Sequence, residues 1–276
     1  MKIKHLVLAS AMIVSFSSFA QKDEMKGLKK IYDKQALTDK DIVEYKATLV
    51  KAEPLMTAAA ESDKVYFDYY KAVAPFLEMK VAYTKPENAG NAKLANNYFT
   101  PEKIDLLAKN LNDVNEFEKK SGKALLTKSI DDGVAQAKPF IVNYAVGLGE
   151  EKKYKEAGNV LYSAYQMDKN DPDKLFYAAS FAVNARDYDS ALVYYYELKQ
   201  INYTGESTVF WAYNKASKQE EIFNSKAERE IFIKSGTHEK PRDEKTPSKR
   251  GEIYKNIALI LVEKGKVEEA KAAVTE

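Results

Sequence analysis

Apolar and aromatic positions recur with a displacement of 34 residues between Lys138 and Gly205. Tyr154, Ala157, Leu161 and Ala164 lie at helical spacing in one segment, and Tyr188, Ala191, Tyr195 and Leu198 take the same steps in the next. From Gly251 onward Tyr254, Ile257, Ala258, Leu261, Val267, Ala270 and Val274 follow the same template. The pattern predicts paired helices, each burying one face against its partner and another against the next pair. Ala157, Ala164, Ala178, Ala179 and Ala191 let helices approach, while Tyr154, Leu161, Leu175, Phe181, Tyr188 and Tyr195 fill the remaining volume. Asp171-Pro172 marks a unit boundary as cap and first-turn proline. One pair cannot cover its own faces, so about three or more are needed for stability.

Residues 21–137 carry the same helical period less regularly. Lys22 to Tyr32 reads as a short charged helix. Thr38 caps a helix carrying Ile42, Tyr45, Leu49, Ala52 and Met56, which Pro54 kinks or ends. Ser62 opens another, with Val65, Tyr66, Tyr69, Val73 and Phe76 on one side, and the two together read as a degenerate repeat. Tyr83 to Tyr98 reads as a loop. Thr100-Pro101-Glu102 is a helix start, and that helix runs to Lys119 and stops near Ser121-Gly122. Ala124 to Gly147 reads as a long helix with a break or kink at Pro139.

Residues 206–250 interrupt the period. Thr208 to Tyr213 is β-branched and aromatic and holds the single Trp, Trp211. Lys215 to Lys218 turns the chain and Glu220 to Phe223 returns it, which predicts a β-hairpin. Ser225-Lys226-Ala227-Glu228 is a capping box opening a helix to Lys234. Thr237 to Lys249, charged and holding two prolines, is expected to be an exposed loop. Residues 251–276 then supply a third repeat. The template breaks off at Glu276 within its second helix, and the expectation is that the sequence is part of a longer array.

The first twenty residues read as a secretory signal. Lys2 and Lys4 precede the apolar run from Leu6 to Phe16, and Ser18-Phe19-Ala20 is the small-residue cleavage site. That run is shorter than the roughly 20 residues of a membrane span, and no second one follows. Removing Lys2 and Lys4 from 43 basic residues leaves 41 against 41 acidic ones. A near-neutral chain argues against nucleic-acid binding, which works through clustered positive charge. Cysteine is absent, which excludes disulfides, thiol catalysis and Cys-ligated zinc, and also the lipid-bearing Cys of an anchored exported protein. A protein released into the periplasm or secreted is expected, with cleavage after Ala20 and no membrane span afterwards.

Catalytic constellations do not emerge. The two histidines are His5, in the leader, and His238, expected to be solvated in the charged loop. Gly147-Leu148-Gly149 has no preceding strand and reads as a turn between helices. Asp131-Asp132 and Glu150-Glu151 lie near helix ends, where carboxylates serve the helix dipole. Neither a cofactor nor a bound metal is expected, and the chain is not expected to be an enzyme. Most of the nineteen tyrosines suit packing, while Phe176 and Tyr177 face away from the seam Ala178–Ala182 and suit an exposed surface.

The repeats resemble the tetratricopeptide (TPR) family. Leu175, Ala178, Ala179 and Ala182 fall where that family places Trp, Leu, Gly and Tyr, and Ala191, Tyr195 and Leu198 where it places Ala, an aromatic and Ala. The leader ending in Phe-Ala-Gln, with the inserted hairpin, is similar to exported TPR proteins of the Bacteroidetes type. The resemblance implies an all-α fold, a right-handed α-solenoid of TPR-like helix pairs with a small β-hairpin insert. It also implies a concave groove, lined by first helices, that holds another protein or a peptide. By position the groove is formed by Asn143, Val146, Phe176, Tyr177, Ser180, Asn184, Lys255, Asn256 and Leu259. Val142 and Val146 stand where a carboxylate-clamping member needs polar groups. The expected function is an exported scaffold or adaptor in protein–protein interaction. The alternative is a glycan- or peptide-capture protein of the cell envelope, in which Trp211 fluorescence reports an oligosaccharide.

Overall fold

The computed structural model describes residues 21–273 apart from Gly90 and Ala92. The predicted leader, residues 1–20, and Val274 of the third repeat lie outside the described residues. The chain is mostly helical with one small sheet, and it divides into two compact units, 1–187 and 188–276.

Unit 1 contains helix α1 (21–32) followed by α2 (Asp39–Ala52), α3 (Glu61–Tyr83), α4 (Pro101–Ser121), α5 (Thr127–Glu150), α6 (Tyr154–Met167) and α7 (Asp173–Asn184). Their ends follow from capping chemistry. Thr38 forms a capping box with Asp41, each side chain accepting from the other residue's amide. Helix α2 passes into a 3₁₀ turn, Glu53–Ala58, where Pro54 removes a donor. Thr100 accepts from the Lys103 amide with Pro101 at the first position of α4, and Gly122 closes that helix at φ 69°. The stretch expected to be a loop from Tyr83 to Tyr98 begins inside α3 and contains two 3₁₀ turns, Pro86–Asn88 and Leu94–Asn97.

Pro139 does not break its helix: α5 is helical from Thr127 to Glu150. Neighbouring packing on Ala137 and Ile141, both buried, holds the helix across the missing donor. The start of α5 lies three residues later than predicted, because Glu118 pins the chain there. Its carboxylate, 3% exposed, accepts from the amides of Leu125 (2.9 Å), Leu126 (2.7 Å) and Thr127 (3.1 Å), and from the Thr127 hydroxyl. One buried acid thus satisfies three amides that a helix start leaves without partners.

Helix α6 packs against α4, α5 and α7. Ala157, Val160, Leu161 and Ala164 are buried on it, and Ser163 donates to Asp105 on α4. The α6–α7 contact is close: a β-carbon on Gly158 would come within 3.2 Å of the Ala178 carbonyl oxygen. At the α5–α6 end the Phe181 ring stacks with Tyr154 and occupies space that a side chain on Gly149 would need.

Unit 2 contains α8 (Tyr188–Gln200), strands β1 (Thr208–Asn214) and β2 (Gln219–Phe223), α9 (Lys226–Lys234), β3 (His238–Lys245), α10 (Arg250–Glu263) and α11 (Val267–Ala273). Helix α8 packs on α10, where the buried Tyr195 hydroxyl accepts from the Asn256 amide at 2.8 Å. The predicted hairpin β1–β2 is present, with Phe210 opposite Phe223. The exposed loop predicted over Thr237–Lys249 is corrected: His238–Lys245 is a third strand, antiparallel to β1, giving the order β2-β1-β3. It is an edge strand whose charged side chains point largely to solvent, so it carries no apolar alternation, and Pro241 is tolerated at such an edge. The sheet module leaves and rejoins the helices at one neck, where the Lys249 amide donates to the Thr204 carbonyl and the Ser207 amide to the Thr246 hydroxyl.

Candidate interaction surface

Three interhelical turns share one hydrogen-bond pattern. The Lys153 amide donates back to the Leu148 carbonyl (2.9 Å), Asp187 to Ala182 (2.9 Å) and Lys266 to Leu261 (2.8 Å). The residue before each donor sits in the left-handed region: Lys152 at φ 61°, Arg186 at φ 57° and Gly265 at φ 74°. Each closes a helix by satisfying carbonyls of its last turn. Lys152 and Arg186 are 34 residues apart, so the sequence period coincides with a recurring backbone turn. Helices α5, α7 and α10 each enter such a turn, and α8 ends in the same way, with the Tyr203 amide on the Leu198 carbonyl (3.0 Å) after Asn202 at φ 54°.

The positions predicted to form a groove lie on these three helices. On α5 Asn143 is exposed, as is Val146 at 48%. On α7 Tyr177 is 46% exposed and Asn184 is exposed. Ser180 is half-buried and donates to the Phe176 carbonyl one turn earlier. Phe176 is a correction: it is 5% exposed, its ring edge-on to Tyr177, so it is packing rather than surface. In unit 2 Lys255 is exposed and Leu259 is 56% exposed on α10, whereas Asn256 is half-buried and engaged with Tyr195. The structure therefore leaves Asn143, Val146, Tyr177 and Asn184 accessible in the first unit, and Lys255 and Leu259 in the second.

Ion pairs order the end of the α5–α7 region. The Lys138 ammonium reaches both Asp168 (2.7 Å) and Asp171, and Lys174 also reaches Asp171. Burial lowers the Lys138 pKa, but its bonds to Asp168 and Asp171 outweigh this and hold it above the usual lysine value. Burial likewise raises the Asp171 carboxyl, and the two lysines outweigh it downward. These groups fasten the α6–α7 connection to α5.

In the sheet module two buried polar residues escaped the sequence reading. His238, expected to be solvated, is 5% exposed. Its ring lies edge-on to Phe223 and Phe232, with Nδ1 on the Thr237 hydroxyl and Nε2 2.9 Å from Glu221. The His238 bond, followed by that of Asn214, holds the Glu221 carboxyl below its ordinary range. Arg229, 3% exposed, donates to the Arg242 carbonyl at 3.0 Å and to Asp243 while lying over the Phe210 ring. Only the tertiary pairing of β3 with β1 brings Arg229, Asp243 and Phe210 together, so no local sequence signal marks them. On the opposite face the Arg242 guanidinium lies 5.1 Å from the centroid of Trp211. That contact already occupies a face on which a sugar ring would stack.

Among the described residues no group of three or more His, Asp or Glu side chains is placed to hold a metal ion. No described helix is long and apolar enough to cross a membrane. Comparison with protein-family models, with curated proteins and with solved structures finds no match.

Proposed function

We propose that this protein is an exported scaffold or adaptor built on TPR-like helix pairs, binding another protein or an extended peptide through its first helices. The supporting observation is that large apolar side chains stand exposed on the helices entering the repeated turn. Val146 and Tyr177 do so in one unit and Leu259 in the other, although each helix also has a well-filled buried side. Within the first unit, Val146 and Tyr177 with the exposed polar residues Asn143 and Asn184 on the same helices suit a partner surface with an apolar centre and a polar rim; in the second, Leu259 and Lys255 are exposed together on α10. A periplasmic or secreted location belongs to the same proposal and is supported by the leader-like composition of residues 1–20.

A double substitution tests the reading. Val146→Ser with Tyr177→Ala is expected to leave the circular dichroism spectrum and melting temperature nearly unchanged, because both side chains face solvent, and to abolish retention of the native partner on the immobilised protein. Loss of helicity, or undiminished retention, overturns it.

A further inference from the structure

Unit 1 contains a cleft of about 450 Å³ that none of the predicted groove positions lines. Its floor is apolar: Val73, Phe76 and Leu77 from α3, Leu107 and Leu111 from α4, and Ala137 from α5. Helical interiors normally close around such side chains to near-crystalline density. An opening of this size, lined about equally by apolar side chains and by polar ones such as Tyr32, Asp132 and Lys80, can admit a small amphipathic molecule.

The polar groups are segregated. At one end Tyr32 donates to the Ser129 carbonyl (3.1 Å) and meets the Tyr69 hydroxyl at 2.7 Å. Burial raises the Tyr32 phenol to about 12, opposed by the Tyr69 bond and reinforced by the carboxylates of Asp33 and Asp132. Two acids therefore flank the tyrosine end. Lys34, also at the rim, is committed to Asp41. Eleven residues along α3, about 16 Å at 1.5 Å per residue, stands Lys80. Its amine reaches the Gln136 side-chain carbonyl at 2.9 Å and lies 5.9 Å from the centre of the Phe76 ring. Among the described residues no carboxylate lies within ion-pairing distance of it. Burial pulls its pKa below the ordinary lysine value, because desolvation disfavours an ammonium that has no counter-ion, and an anionic ligand would relieve that cost.

From this arrangement we infer that the cleft binds an amphipathic monocarboxylate, its head on Lys80 and Gln136 and its alkyl body along the apolar floor toward the tyrosines. Asp33 at the tyrosine end is paired with Lys29, so the orientation rests on the Lys80 amine at the other end. The site is separate from the proposed partner surface, and either can fail without the other.

Calorimetric titration of the full chain with decanoate, below its micelle concentration, tests this. Saturable one-to-one binding is expected, with decanol and decylammonium weaker by about tenfold or more. Lys80→Met should weaken decanoate by a similar factor and leave decanol unchanged. Val134→Trp, at the cleft wall, should abolish binding of all three. Lys80 is partly exposed, so the Lys80 variant decides the question even if the Trp variant does not fold. Absent decanoate binding, equal affinity for the three probes, indifference to Lys80→Met, or normal binding by a folded Val134→Trp overturns the proposal.

Discussion

The α5–α7 helices and the β1–β3 module are held together by different means. Between the helices, small residues bring backbones close and apolar side chains fill the seam: Gly158 lies against the Ala178 carbonyl, and Val160, Leu161 and Leu175 are buried around it. In the sheet module the centre of the covered face is polar. Arg229 of α9 and His238 of β3 are buried there, tied to the carboxylates of Asp243 on β3 and of Glu221 on β2 respectively, and packed against Phe rings. Apolar seams of this kind are non-directional and strengthen with area. The polar centre depends on every partner being in place.

The largest expected effect lies in an apolar helical seam. Tyr195 is fully buried between α8 and α10, and Tyr195→Ala removes the ring and leaves Asn256 without its acceptor. A loss of about 3–5 kcal/mol in urea unfolding is expected; a loss under 1 kcal/mol would mean that the seam is not a core.

Arg229→Ala comes next, with a loss of about 2 kcal/mol, since it deprives the Arg242 carbonyl and Asp243 of a buried donor. Trp211 lies on the strand that carries Phe210, so its emission reports the change. Equal stability of the two forms would show that the buried charge is dispensable.

Glu118 carries the polar manner of assembly into the helical unit. Burial alone raises its pKa, but its bonds from Thr127, Leu126 and Leu125 outweigh burial and bring it below the ordinary glutamate value. A depressed carboxyl contributes stability above the unfolded-state pKa, near 4.3, and the contribution fades as pH falls through the lower folded value. Glu118→Gln should therefore be less stable at neutral pH, with the gap to wild type narrowing below about pH 4.5. A gap constant from pH 7 to 3 contradicts the assignment.

The smallest effect is at the repeated turn. Lys152 adopts the left-handed conformation that Gly265 takes in the third turn. Lys152→Gly is expected to stabilise by about 0.5–1 kcal/mol, read as a rise in melting temperature. A fall would mean that the Lys152 side chain contributes more than its backbone strain costs.

These contrasts explain what could be read in the chain. The helices were legible because burial on α6 and α8 follows the period: Ala157 and Ala191, Leu161 and Tyr195, and Ala164 and Leu198 are all buried in pairs 34 apart. Helix starts at Thr38, Thr100 and Ser225 were legible because capping is local. Strand β3 was not, because an exposed edge strand needs no apolar alternation and its pairing is set by β1. Phe176 reads as surface because it faces away from the Ala178–Ala182 seam, yet α7 buries both Leu175 and Phe176, a wider apolar face than the alanine seam suggests. The Lys80 cleft lies where α3, α4 and α5 meet, and no single segment contains enough of it to show a pattern.

The most direct test of the adaptor reading is a photo-crosslinking amino acid placed in turn at Val146, Tyr177, Leu259 and the exposed Asn159 of α6, with adducts from the native envelope identified by mass spectrometry. The account predicts one shared partner at Val146 and Tyr177 of the first unit, adducts at Leu259 of the second, and none at Asn159. Equal adducts at all four positions, or none at any, would contradict it.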